Sequence, residues 1–147
     1  MALSDRQRQF VEDHNAAAMI TVGADGRAKV ARVGIAVVDG KLWSSGTNDR
    51  ARTARLRRDP RCTLFVYDVA GPRWLAVEST VTILDGPDAP ALSLRLFRQM
   101  QGKPTGPLTW FGGDLEEVAF LQTMVDEGRV IYELEAERVY GFSESMV

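Results

Sequence analysis

The sequence predicts a mainly β protein of the α+β class, in which six strands form a small closed or half-open barrel with helices in the gaps. Three observations support this fold. Asp39-Gly40 stands between two apolar runs and is a strong hairpin signal. Residues 73–84 alternate between apolar and polar side chains, as in a half-buried strand. The chain has no GxGxxG, no P-loop and no βαβ rhythm, which argues against a doubly wound nucleotide-binding fold.

Length and composition narrow the class of protein. The 147 residues suit one domain, spanning 1–147, that can bury a real core. A formal charge of −2 and a pI of about 5.4 argue against a general nucleic-acid surface. No run approaches the roughly 20 apolar residues that cross a membrane. We therefore expect a cytoplasmic protein that binds neither membrane nor nucleic acid.

The first half of the chain alternates one helix with hairpin strands. Ser4 and Gln7 form a capping box that starts a helix ending near His14. Turns at residues 24–27 and at Asp39-Gly40 separate the strands that follow. The predicted strands of this half are 16–23, 28–38 and 41–47.

The second half pairs long strands with three helices. We predict strands at 61–68, 73–84 and 129–142, and helices that end near Arg58, Met100 and Glu127. Asp114 is the predicted cap of the last helix. In the strand 73–84, one face is apolar and Trp74 heads the other, polar face. An aromatic residue at that position predicts contact with a partner subunit or a flat ligand. The predicted apolar face consists of Leu75, Val77, Val81 and Ile83.

A glycine- and proline-rich loop at residues 102–113 carries Trp110 and Phe111. Exposed aromatic side chains on such a loop suit a lid over a pocket. The alternative is that the two rings only fasten the loop to the core.

The segment from Trp43 to Arg61 predicts an anion site. A strand ends in small and hydroxyl residues, and Asn48 or Asp49 can cap the short helix that follows. Asp59-Pro60 ends that helix. Free N–H groups and the helix dipole attract phosphate at such an N-terminus, where arginine adds forked and permanently charged donors.

The six arginines between Arg50 and Arg61 do not form one stripe. At 100° per residue, Arg50 and Arg57 share a face, while Arg52 and Arg55 point elsewhere. Arginines in the last turns also suit the helix dipole and can be merely solvated. Arg50 and Arg52, beside the N-terminus, are the predicted anion ligands.

Four segments resemble a known family: the turn ADGR, the helix region RARTARLRRDPR, the strand RWLAVES and the closing ERVYGF. The chain resembles the pyridoxamine-phosphate-oxidase-like, FMN-binding split β-barrels, and among them the flavin/deazaflavin oxidoreductases that use coenzyme F420. The resemblance implies a homodimer with cofactor sites at the subunit interface. It also implies a phosphate held by the third strand and the next helix, with a basic residue, usually lysine, at Arg52. Asparagine is common in the family at Arg55, so the arginine here is a departure.

The resemblance implies an F420H2-dependent reductase that passes a hydride from reduced deazaflavin to an electron-poor small molecule of the quinone, conjugated-lactone or tetrapyrrole type. An FMN-dependent oxidase or reductase is one alternative, and a non-catalytic flavin, deazaflavin or haem binder is another. No catalytic residue and no metal ligand is assigned. Trp74 is expected to close the site from the partner chain. The candidate cofactor-binding residues are Arg32, Val33, Gly34, Ser45, Gly46, Thr47, Arg50, Ala51, Arg52, Thr53, Arg57 and Trp74.

Overall fold

A computed structural model describes residues 3–141, which contain four helices and nine strands. None of these helices has the length and apolarity needed to cross a membrane. The elements are α1 (Asp5–Asp13), β1 (Ala16–Val22), β2 (Ala28–Gly34), β3 (Ala36–Val38), β4 (Lys41–Thr47), α2 (Ala51–Arg58), β5 (Arg61–Tyr67), β6 (Trp74–Leu84), α3 (Ala89–Gln101), β7 (Leu108–Trp110), β8 (Gly113–Leu115), α4 (Glu117–Asp126) and β9 (Arg129–Gly141).

Within residues 3–141, seven strands form one antiparallel sheet in the order β2-β1-β5-β6-β9-β4-β3. The two edge strands, β2 and β3, are separated in the chain by Ile35 alone. The sheet therefore curls until its edges come together at that residue. The hydroxyl of Ser44 in β4 donates to the carbonyl of Gly34 in β2 across this junction, at 2.8 Å.

The predicted strand 28–38 is divided, so the described sheet has seven strands where the sequence predicted six. Ile35 is fully buried, and its N–H donates to the carbonyl of Asn15, before β1, at 2.8 Å. That bond turns the chain from one edge of the sheet to the other. The hairpin predicted at Asp39-Gly40 is confirmed, with φ of 51° and 79° at its two residues.

The main core lies inside the curled sheet. The predicted apolar face of β6 is confirmed, because Leu75, Val77 and Val81 are buried there and Ile83 packs against them. Tyr132 of β9 is fully buried at the centre of this core. Gly46 leaves room for that ring, since a Cβ at Gly46 would lie 2.1 Å from the Tyr132 hydroxyl.

Helix α3 covers part of the outer face of the sheet. Its Leu96 packs on Trp43 and Ile131 together with two residues of β3. Val37, the middle residue of β3, packs into the main core on the other face. All three residues of β3 are therefore buried, so the strand shows no alternation between buried and exposed residues. A third cluster joins Leu108 of β7 to Phe120 and Met124 of α4.

Two helices begin later than the sequence predicted, although the capping box at Ser4 is confirmed. The N-cap of α2 is Arg50, because the Asp49 carboxylate accepts the Thr47 hydroxyl at 2.6 Å instead of capping the helix. The N-cap of α4 is Glu116, since residues 113–115 form β8. The last predicted strand residue, Phe142, lies outside the described residues.

Candidate functional site

A cavity of about 170 Å³ opens on the outer face of the sheet. It lies where β2, β4, the N-terminus of α2, the last turns of α3 and the first residue of β9 meet. Six predicted cofactor-binding residues line it: Arg32, Val33, Gly34, Ser45, Arg50 and Arg52. Four further residues complete the wall: Ser44, Phe97, Met100 and Arg129. We call this cavity the arginine cleft.

Arg52 is the most unusual side chain of the arginine cleft. Only 8% of it is exposed, and its Nε atom is buried with no hydrogen-bond partner. Its nearest polar contact is a long one, from Nη2 to the Ser45 carbonyl at 3.5 Å, and its guanidinium lies over the Tyr132 ring at 5.4 Å. No carboxylate among residues 3–141 forms an ion pair with it. A buried charge that lacks a partner is costly, and an unsatisfied buried donor calls for a partner such as an ordered water or a bound anion.

Three more arginines surround this guanidinium. Arg32 and Arg50 are exposed, and neither forms an ion pair within the described part of the chain. Arg129 is 9% exposed and is held by Glu127 through two bonds of 2.9 and 2.7 Å. Its Nη1 also reaches the Ser45 hydroxyl at 3.4 Å. The arginine cleft is therefore a strongly positive site on an acidic protein.

The N-terminus of α2 adds main-chain donors to the arginine cleft. Its N-cap, Arg50, makes no side-chain capping bond, and Ala51 at the first helical position is exposed. The first N–H groups of an α-helix have no intrahelical partner, and they attract anions. Charge, dipole and open N–H groups thus converge on one place.

Three other predicted residues face away from the cleft. Thr53 is fully buried, and its hydroxyl donates to the Thr47 carbonyl at 2.6 Å and bonds with the Tyr132 hydroxyl. The Thr47 hydroxyl donates to Asp49, which lowers the pKa of that carboxyl. The position of Gly46 faces Tyr132. These groups join α2 to β4, so the Thr53 hydroxyl does not point at the anion site as the sequence suggested.

Arg57 lies at the opposite end of α2 from the cleft. Its Nη2 contacts the Asp85 carboxylate at 3.0 Å and the Asn48 amide oxygen at 3.2 Å. The predicted common face of Arg50 and Arg57 does not bring Arg57 into the cavity.

Trp74 stands in an aromatic group on the outer face of β5, β6 and β9. Its ring centroid lies 5.7 Å from that of Phe65 and 6.2 Å from that of Tyr140. Phe65 in turn stacks on Tyr67 at 5.4 Å. Trp74 lies at the far end of β9 from the cleft, because its neighbour Leu75 pairs with Gly141, whereas Arg129 is the first residue of β9, roughly 40 Å away along that strand. Trp74 therefore does not contribute to the cleft of its own chain.

Trp110 belongs to the wall behind the cleft. Its Nε1 donates to Glu127 at 3.2 Å, and its ring packs edge-on against Phe97 at 5.0 Å. The Arg129 guanidinium lies over the same ring at 5.0 Å. Phe111, at the tip of the β7–β8 hairpin, is 85% exposed. The predicted loop is thus a hairpin that Trp110 fastens to the protein, with Phe111 projecting from it.

The family model for pyridoxamine 5'-phosphate oxidase matches residues 3–143 of the chain. The chain belongs to the pyridoxamine 5'-phosphate oxidase family. The curled antiparallel sheet with four described helices is consistent with the α+β fold of that family. No protein of curated function is similar enough in sequence to give a significant match.

Solved structures of similar fold come from several different kinds of protein. A conserved hypothetical protein from Mycobacterium tuberculosis is 23% identical with a TM-score of 0.73, over 96% of this chain and 85% of its own. An F420 reductase is also 23% identical, with a TM-score of 0.69 over 94% and 98% of the two chains. HutZ, the haem storage protein from Vibrio cholerae, is 14% identical with a TM-score of 0.65 over 95% and 94%. At these identities the likeness concerns the fold.

The sequence did not reveal the parts of the arginine cleft that come from distant segments. Phe97 and Met100 lie on α3, and Arg129 opens β9. The available signal for Arg129 was an arginine two residues after Glu127, at the start of a buried strand. Nothing in the pattern of α3 distinguished Met100 from the other apolar residues of that helix.

The only histidine and the only cysteine of the chain are engaged elsewhere. The Nδ1 of His14 lies 2.9 Å from the Phe10 carbonyl, and its Nε2 lies 3.7 Å from Asp68. Burial raises the pKa of the Cys62 thiol to about 12, so Cys62 is an inert core residue. Residues 3–141 contain no group of three histidine, cysteine or acidic side chains that could hold a metal.

Proposed function

We propose that this protein is an F420H2-dependent reductase that transfers a hydride to an electron-poor small organic acceptor. The observation that carries the proposal is the buried, unpaired guanidinium of Arg52 in a cleft with three other arginines at a helix N-terminus. Membership of the family and the fold shared with an F420 reductase support it.

The chemistry of the cleft fits coenzyme F420 better than a single phosphate. F420 carries a phosphate and a tail of glutamate carboxylates, so it presents several separate anions. Arg52 and the open N–H groups of α2 suit the phosphate, since arginine and helix N-termini both bind phosphate. Exposed Arg50 and Arg32 remain for carboxylates. Gly34 places a backbone without a side chain beside these charges, and only the free end of the Met100 side chain covers it.

The bound cofactor would supply the hydride, and the protein supplies binding, orientation and an electrostatic field. The acceptor would take this hydride at one carbon of a polarised double bond and a proton at the other. Arg52 fixes the anionic end of the ligand. The β7–β8 hairpin, held by Trp110, presents Phe111 beside the cleft, where an apolar acceptor can pack.

We also propose that the outer face of the sheet is a homodimer interface that adjoins the cleft. Val30 is 66% exposed there, and the half-exposed rings of Tyr67 and Tyr140 flank Trp74. Arg32 stands in the same cross-strand row as Phe65, with only Ala18 between them. The apolar face thus runs directly into the cleft, and Trp74 of the partner chain can reach the site that its own chain cannot.

An FMN-dependent oxidase or reductase is the alternative that uses the same anchor, because FMN carries one phosphate. A haem-storage role is less well supported. Both ring nitrogens of His14 already face partners, and the Cys62 thiol is buried.

The test is a titration of the purified protein with oxidised F420, followed by quenching of the cofactor's fluorescence. We expect a colourless protein that saturates with F420 and then oxidises F420H2 when a quinone or a conjugated lactone is added. A yellow protein with an FMN spectrum favours the flavin alternative. Saturable quenching without turnover of any acceptor class makes the protein a deazaflavin carrier.

A further inference from the structure

Met100 separates the arginine cleft from a second cavity. The second cavity measures about 210 Å³ and lies beside the junction of β2 and β3. Met100, in the last turn of α3, lines both cavities. Its Cε atom stands over Gly34, only 2.3 Å from the point where a Cβ of that residue would lie. The Met100 side chain thus stands between the two cavities and over Gly34.

The arginine cleft is too small to hold a complete cofactor. At about 170 Å³ it holds a phosphate and part of a linker, whereas sites for whole cofactors occupy roughly 300–1,000 Å³. The second cavity is the adjoining space on the same chain.

The walls of the second cavity suit a flat heteroaromatic ring with a polar edge. Ala36 and Val37 of the buried strand β3 line one side of it. Asn15 and Gln99 contribute amide groups to its rim, and Glu12 contributes a carboxylate. The Gln99 amide already donates to the Val37 carbonyl, which leaves its oxygen as an acceptor. A ring edge of alternating carbonyl and N–H groups matches these donors and acceptors.

The Met100 side chain is able to move. Methionine is unbranched and has three rotatable bonds in its side chain, so it changes rotamer at lower cost than a branched residue. Met100 is only partly buried and packs at the margin of the α3 cluster, not at its centre. The atom nearest to Gly34 is the free end of the side chain.

We propose that Met100 is a displaceable plug over Gly34, and that the planar ring of the cofactor binds by moving it aside and joining the two cavities. The inference rests on the proposed function, because it assigns the ring of that cofactor to the space between Gly34 and the second cavity. Met100 then controls the rate at which the ring enters, while Arg52 holds the anionic end.

The experiment compares F420 and inorganic pyrophosphate, a ring-less anion, on four proteins: wild type, Met100→Ala, Gly34→Ala and Leu92→Ala. Leu92 lies on the same stripe of α3 and packs against the same cluster, but it lines neither cavity. Stopped-flow quenching gives the association rate and affinity for F420, and calorimetry gives the affinity for pyrophosphate.

We expect Met100→Ala to bind F420 with an association rate at least threefold above wild type, while Leu92→Ala stays at the wild-type rate. Gly34→Ala should keep its melting temperature, since the flexible end of Met100 can yield, but it should lose about tenfold in F420 affinity. Pyrophosphate should bind all four proteins alike.

Three results would overturn the plug. They are an unchanged F420 rate in Met100→Ala, an equal rise in Leu92→Ala, or a parallel loss of pyrophosphate and F420 in Gly34→Ala. Failure of the proposed function has a different signature, because a wild-type protein that binds pyrophosphate but not F420 rejects the deazaflavin assignment and the plug together. F420 binding that is indifferent to Met100 rejects the plug alone.

Discussion

The two ends of α2 carry the same residue type and differ in what each arginine contacts. At the N-terminal end, Arg52 is buried with an unsatisfied Nε, and exposed Arg50 forms no ion pair within the described residues. At the C-terminal end, every arginine has a partner within the protein. Arg55 donates to Thr21 at 3.0 Å, Arg57 contacts Asp85 at 3.0 Å, and Arg58 donates to the Val22 carbonyl at 2.9 Å.

The contacts of each arginine, and not the number of arginines, therefore distinguish the side chains that are open to a ligand from those that stabilise the fold. The cations of the last turn complement the helix dipole and tie α2 to β1 and to the loop after β6. Within its own chain the guanidinium of Arg52 has only a long contact to the Ser45 carbonyl and the Tyr132 ring, and under the proposed function a bound anion offsets its desolvation. Burial without a partner is therefore the signal of function here.

The largest expected effect is that of Arg52→Ala on cofactor affinity. A charge-assisted contact contributes roughly 1.5–3 kcal/mol, so F420 should bind about tenfold to a hundredfold more weakly. The melting temperature should hold, because no ion pair to a described residue is lost. Fluorescence titration at two salt concentrations measures the affinity and should show a weaker salt dependence than wild type.

Arg58→Ala is the matched control for Arg52→Ala. Its guanidinium is exposed at the other end of the same helix, where such a contact usually contributes ~0–1 kcal/mol. Its F420 affinity should stay close to wild type. If the two variants bind alike, or Arg58→Ala binds more weakly, the cofactor does not lie at the N-terminus of α2.

The next effect separates Thr53 from its neighbour Arg52. Thr53→Val removes a fully buried hydroxyl that bonds with the Thr47 carbonyl and the Tyr132 hydroxyl. We expect the free energy of unfolding in urea to fall by about 1–3 kcal/mol, with F420 affinity unchanged. Thr123→Val is the control, since the Thr123 hydroxyl makes an exposed bond to its own helix at 2.9 Å. A stable Thr53→Val protein that has lost F420 binding would show that the Thr53 hydroxyl belongs to the anion site.

Glu127→Gln tests whether Arg129, which is now paired with Glu127, can be made available to bind an anion. Arg129 lines the cleft, but Glu127 neutralises it through two hydrogen bonds. The amide removes the negative charge, so the cleft becomes more positive. Pyrophosphate should then bind about fivefold more tightly, because a partly exposed ion pair contributes ~1 kcal/mol. Calorimetry measures this gain. Arg129→Gln in the same background should abolish it, and a persistent gain would assign the effect to another cation.

The sequence was informative wherever one segment determines its own structure. The Asp39-Gly40 hairpin, the capping box at Ser4 and the inward face of β6 all follow from local patterns, and all are confirmed. The start of α2 was placed too early, because Asn48 and Asp49 are both good caps. Only the structure shows them occupied by Arg57 and Thr47.

The rest depended on packing between distant segments. β2 and β3 are separated by the hydrogen bond between Ile35 and Asn15 and by the packing of α3 on β3. An alternating sequence pattern reveals neither contact. The cleft itself gathers residues from β2, β4, α2, α3 and β9. Arg57 stayed among the candidate cofactor-binding residues because Asp85, the carboxylate that engages it, lies 28 positions further along the chain.

The smallest expected effect concerns the C-terminal end of α2 and depends on pH. Asp59 is the C-cap, and Arg61 contacts its carboxylate at 2.9 and 2.7 Å. The side-chain and main-chain hydrogen bonds from Arg61 lower the pKa of Asp59 from 3.8 to about 2. Because the folded-state pKa lies below the unfolded one, Asp59 stabilises the fold fully above about pH 4, and this contribution is lost as the pH falls toward 2.

Asp59→Asn should therefore flatten the decline in stability between about pH 4 and pH 2 and leave F420 affinity at pH 7 unchanged. Urea melts at closely spaced pH values measure this slope. Other carboxyls with lowered pKa values, such as Asp25 and Asp68, keep part of the decline in place. Arg61→Ala should reproduce part of the change, because the main-chain N–H of residue 61 still donates to Asp59. The double variant should add nothing to Asp59→Asn, and a larger change than in Asp59→Asn would mean that Arg61 also acts through another partner. In that case the charged groups at the C-terminal end of α2 would not all be satisfied by one another, and the contrast with the N-terminal end would fail.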